Sequence, residues 1–99
     1  MATPVNFFRG AAPTALTTAY TVPEAGQAIV TNIVAANPST TTVGSVVVKL
    51  GGIDIVPAVS LAAKGVLTLE INQVLNENEA IQVQGSGAAC TLHVSGVEV

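Results

Sequence analysis

The sequence predicts an all-β fold, an antiparallel β-sandwich or jelly-roll-like barrel of about 7–9 short strands. Three observations lead there. From Thr17 onward apolar and polar residues alternate over most segments, as strands with one buried face require. Clusters rich in Gly, Pro and Asn break the chain at roughly ten-residue intervals, where turns belong. No segment carries a convincing helical period. The length, 99 residues, allows one domain, which divides into an extended N-terminal arm over 1–16 and a β-sandwich over 17–99.

The arm alternates small and turn-forming residues, with Val5, Phe7 and Phe8 as its apolar grip. Proline holds the residues before it extended, so Thr3-Pro4 and Ala12-Pro13 read as an arm or a short edge strand. Thr17 to Val22 is rich in β-branched and aromatic residues and ends at Pro23-Glu24-Ala25-Gly26, a turn. Gln27 to Asn37 has apolar residues of both parities. Its spacing would suit a helix face, but its many β-branched residues favour a central strand covered on both faces. Asn37-Pro38-Ser39 closes it.

Val43 to Leu50 places Val46, Val48 and Leu50 inward and Ser45, Val47 and Lys49 outward. Gly51-Gly52 then forms a two-residue hairpin turn into Ile53–Val56. Pro57 is expected to end that strand, leaving Val59 and Leu61 as a short separate piece. Val66 to Ile71 directs Leu67, Leu69 and Ile71 to one face, with Val74-Leu75 as a brief anchor before the polar turn Asn76-Glu77-Asn78-Glu79. Ile81 and Val83 alternate with Gln82 and Gln84 up to Gly85-Ser86-Gly87. The last strand, Ala89 to Val99, sets Cys90, Leu92 and Val94 against Thr91, His93 and Ser95. The parity changes at Gly96, which predicts a β-bulge there.

Composition narrows the function. Apolar residues make up 49% of the chain and charged residues 9%, against about a quarter charged in an average domain. The chain therefore has ample surface to bury and is not a disordered polyelectrolyte. Its longest apolar runs are three to four residues, such as Val46-Val47-Val48, far short of the roughly 18 a membrane span needs. No membrane partner is expected. Arg9, Lys49 and Lys64 lie far apart in a chain of net charge −3, which argues against direct nucleic-acid binding. A lone Cys90 cannot form an internal disulfide, and Met1-Ala2-Thr3-Pro4 lacks the features of a signal peptide. Synthesis in the cytoplasm is expected. With no Trp and only Phe7, Phe8 and Tyr20 as aromatics, the core has few large side chains. Burial between subunits would compensate, so an oligomer is expected.

Chemistry is thinly represented. A hydrolytic triad would have to draw on His93, Ser95 and Asp54, but residues two apart on a strand lie ~6–7 Å apart, poor geometry for a His–Ser hydrogen bond. These residues read as a polar outer face, and no enzyme activity is assigned. His93 and Cys90 have opposite strand parity and are too few for zinc, while Asn76–Glu79 lacks the glycine of a calcium loop. No metal and no cofactor is expected. Gly51-Gly52 and Gly85-Ser86-Gly87 read as turns, since neither joins a strand to a helix with a following Lys. Phe7 and Phe8, adjacent on an extended segment, should point in opposite directions, one to the core and one to a neighbour.

Tyr20-Thr21-Val22-Pro23, Ala25-Gly26-Gln27-Ala28-Ile29-Val30-Thr31-Asn32-Ile33, Asn37, Gln73-Val74-Leu75-Asn76 and the ending His93-Val94-Ser95-Gly96-Val97-Glu98-Val99 together resemble small virion structural proteins of tailed bacteriophages. The likeness covers most of residues 16–99. It implies a capsid decoration (cement) protein, often a homotrimer, that binds the major capsid protein at capsomer junctions and stabilises the shell in the virion. Val5, Phe7, Phe8 and Arg9 are the expected shell contacts, with Arg9 either paired with a capsid carboxylate or solvated. A tail, fibre or baseplate module is the alternative. A carbohydrate-binding sandwich for host attachment ranks third, because sugar sites usually exploit exposed aromatic faces.

Overall fold

The computed structural model describes residues 3–87 and 90–99. The expected opening of the last strand at Ala89 and the first two residues of the arm lie outside the described residues. Eight strands are present among the described residues: β1 (Thr3–Ala11), β2 (Thr17–Thr21), β3 (Ala28–Ala36), β4 (Gly44–Leu50), β5 (Ile53–Leu61), β6 (Val66–Leu75), β7 (Ala80–Gly87) and β8 (Thr91–Glu98). They form two four-stranded antiparallel sheets, ordered β1-β8-β3-β6 and β2-β7-β4-β5. This is the expected β-sandwich. The strand order is that of a jelly roll: β1 pairs with β8, β2 with β7, β3 with β6 and β4 with β5. The chain is thus one long antiparallel ribbon folded at the β4–β5 hairpin. Rolling the ribbon then brings β8 against β3 and β7 against β4.

The hairpin at the fold of the ribbon has Gly51 at φ 60° and Gly52 at φ 81°. Both are left-handed, as a two-residue turn matching the strand twist requires and as only glycine adopts without cost. Between the sheets, Val30, Ile33, Val46, Val48, Ile81, Val83, Leu92 and Val94 are fully buried. Each such side chain contributes about 1.5–3 kcal/mol relative to exposure. Phe7 from the first sheet meets Tyr20 from the second, ring centroids 4.6 Å apart and tilted by 48°, so two of the three aromatics of the chain join the layers. Asn37 is a buried polar residue with its bonds satisfied. Its Nδ2 donates to the carbonyls of Thr42 and Leu61 at 2.8 and 3.0 Å, and its Oδ1 accepts from the Ser39 amide at 3.0 Å.

Within the stretch read as an extended arm or short edge strand, Thr3–Ala11 form edge strand β1. Several other elements differ from the sequence reading. Pro57 does not end its strand: β5 runs on to Leu61, with register shifts opposite Val46–Val48 and Val48–Lys49 and Ala58 at φ 47°. An edge strand needs no N–H on its free side, so a proline fits at a bulge there. Val74-Leu75 belongs to β6, which continues from Val66 without a break. The bulges near Gly96 lie in its neighbours, at Phe7 in β1 and Thr31 in β3, while β8 itself is regular. Gly96 is there for close approach: a Cβ would stand 1.9 Å from the Ile29 carbonyl oxygen and 2.9 Å from the Phe7 ring.

Candidate interaction surface

The four expected contact residues all sit on β1, but in different environments. The bulge at Phe7 removes the strict alternation that would send adjacent side chains to opposite faces. Phe7 is 6% exposed and belongs to the core, while Val5 and Phe8 are half-buried and pack against that same core. Arg9 is exposed. Its Nε–H donates to His93 Nε2 at 2.7 Å, which requires an imidazole unprotonated at that nitrogen. In the amide orientation that satisfies both of its groups, the Asn6 side chain also faces Arg9 Nε, at 3.1 Å.

Arg9 and His93 border the outer face of the first sheet, whose register sorts its residues into rows running across β1, β8, β3 and β6. The first row is Pro4, Val97, Ile29 and Val74, apolar throughout. The second, Asn6, Ser95, Asn32 and Glu70, is polar and ends in a carboxylate on β6. Arg9, His93, Val34 and Thr68 make the third, with its cation on β1. Ala11, Thr91, Ala36 and Val66 make the fourth, and Asn72, unpaired at the irregularity opposite Thr31, is exposed between Val74 and Glu70 on β6. A shallow hollow of about 290 Å³, lined by Arg9, Val34, Ala36, Thr91 and His93 among others, lies over the last two rows. The second sheet presents a different exterior. One row there runs Thr18, Gln82, Lys49 and Asp54, and another pairs Ser86, Ser45 and Ser60.

The residues considered for chemistry are dispersed. Asp54 lies on the second sheet and is paired with Lys49 at 3.6 Å, remote in the topology from His93 and Ser95 on β8. Cys90 is buried, and burial pushes its thiol pKa up. The polar turn Asn76–Glu79 is laced to the backbone: Glu77 accepts from the Ala25 amide and Glu79 from the Asn76 amide, each at 2.7 Å. Among the described residues no three His, Cys, Asp or Glu side chains gather as a metal site would require. The Arg9–His93 contact, 84 residues apart in sequence, was not deducible from composition. The one available signal was that His93 has the outward parity of its strand.

Comparison with protein-family models, curated proteins and solved structures gave no match.

Proposed function

We propose that this protein is a structural component of a tailed-phage virion, a capsid decoration protein that binds the major capsid protein at capsomer junctions and acts by burying surface. The supporting observation is the exterior of the first sheet, where short neutral side chains form whole rows and charge is confined to the margins. Such a surface enters permanent contact with little cost of charge desolvation. The setting is the one implied by the resemblance read in the sequence over most of residues 16–99. Shell contact is assigned to the β1 edge through Val5 and Phe8, which are half-buried in the chain and gain cover from a neighbour. Phe7 supports that edge from within.

The test is quantitative mass spectrometry of purified virions combined with an image reconstruction. Copies on the order of hundreds, placed with the symmetry of the shell, are expected. A few to a few dozen copies around the tail axis would move the protein to a tail module. Absence from the particle would overturn the reading.

A further inference from the structure

The outer face of the first sheet is left bare by the chain itself. Val66 and Val74 on β6 are 65% and 56% exposed, and Ile29, Val34 and Ala36 are only half-covered by their neighbours. We infer that a second copy of the chain covers this face, related to the first by a two-fold axis that lies in the contact plane and runs parallel to the strands. The inference goes beyond the virion reading: it gives this face to a second copy, a dimer in place of the homotrimer the resemblance implies, and leaves shell contact to the β1 edge.

The axis follows from where the charges stand. A two-fold parallel to the strands keeps each row level with the same row of the second copy and reverses the strand order, so β1 of one copy lies over β6 of the other. Val97 then meets Ile29 of the second copy and Pro4 meets Val74, apolar on apolar, while the polar row meets itself. Glu70 of the second copy comes over Asn6. Arg9 is one row away, on the order of 7 Å along the strand, within reach of two long side chains. The Asn6 and His93 contacts hold the Arg9 Nε and leave its terminal nitrogens for a carboxylate. A two-fold perpendicular to the strands would instead stack β1 on β1 and β6 on β6, bringing Arg9 near Arg9 and Glu70 near Glu70. Charge therefore selects the first arrangement.

The area is adequate. Four strands and four rows span about 19 by 27 Å, or about 500 Å² per copy, and the resulting total of roughly 1,000 Å² reaches the lower bound for a specific interface. The second sheet carries Val47 and the exposed Ile53 among a Thr, Gln, Ser and Lys–Asp exterior, and no outer row there is apolar throughout. Aligned packing of two sheet faces is a standard solution for strands that run nearly parallel across the contact.

Sedimentation equilibrium on the full chain tests the inference. A mass twice the 9.9 kDa of one chain is expected, and Val34→Lys, at the centre of the face, should yield monomer. Arg9→Glu and Glu70→Arg should each raise the dissociation constant about tenfold or more, and the double reversal should restore it to within about threefold. Both reversals alter exposed side chains, so the fold is retained, which a thermal melt verifies. A chain that stays monomeric at high concentration would overturn the inference. So would a trimer or dimer indifferent to these changes, or reversals that do not rescue one another.

Discussion

Tyr20 shows how much a single residue carries in a chain this poor in aromatics. Its ring lies on Phe7 across the sheet interface, and its hydroxyl donates to the Glu98 carboxylate at the end of β8. Desolvation by burial, then the hydrogen bond to Glu98 and the charge of that carboxylate, push the phenol up from 10.0 to about 12. The folded state thus favours the protonated phenol more than the unfolded state does. The resulting stabilisation is complete below pH 10, the unfolded value, and is lost as pH rises through about 12. Because this is the only tyrosine, tyrosinate absorbance reports it directly. The folded protein should titrate near pH 12 and the denatured chain near 10. A folded-state midpoint near 10 would show that Tyr20 is neither desolvated nor bonded to Glu98. In the Tyr20→Phe variant, the part of the alkaline fall that Tyr20 contributes should be absent.

At the scale of elements, connections are fixed by side chains that replace missing backbone partners. Asn37 ends β3 and holds the following loop, with Thr42 and Ser39, to the last residue of β5. Replacing it with Ala leaves the Thr42 and Leu61 carbonyls and the Ser39 amide without those bonds, so Asn37→Ala should cost about 2–3 kcal/mol. The melting temperature should fall by roughly 10–20 °C, at the ~4–8 °C per kcal/mol usual for a domain of this size. A shift under a few degrees would show that water replaces the Asn37 amide freely. The strands were legible because their period of two survives in sequence: Val46, Val48 and Leu50, and again Leu67, Leu69 and Ile71, all took the faces the alternation assigned. The misreadings fall at irregular residues. Pro57 reads as a stop in sequence, and only its position on an edge strand makes it a bulge. Gly96 reads as a bulge, but its need for space is set by Ile29 and Phe7, which the fold brings from elsewhere. The candidate surface was the least legible part. Its rows depend on register between strands as distant as β1 and β8, and alternation within one strand carries no information about register.

The whole molecule is closed by its first and last strands. In a rolled ribbon β1 pairs only with β8, and β8 is held between β1 and β3, so the two ends of the chain complete the first sheet together. Residues 3–11 are therefore not a detachable arm. Removing them takes Phe7 from the core and its ring from Tyr20, and it uncovers one edge of β8. Loss of a buried Phe alone costs about 3–5 kcal/mol, and a domain of this size has only about 5–15 kcal/mol in total. Adding a lost strand ladder should exhaust what remains. A chain lacking residues 2–11 should show no cooperative thermal transition and should bind hydrophobic dyes, whereas a sharp transition with intact β-sheet circular dichroism would show β1 to be dispensable. The same closure governs kinetics. The β1–β8 ladder cannot form until nearly the whole chain has been brought into place, so loop entropy must be spent before that contact stabilises anything. Refolding of the intact chain should accordingly fall in the millisecond-to-second range of β-sandwiches. Phe7→Ala should mainly accelerate unfolding and leave the folding rate nearly unchanged, as expected if β1 docks after the transition state. A folding rate that falls in proportion to the lost stability would instead place β1 in the nucleus.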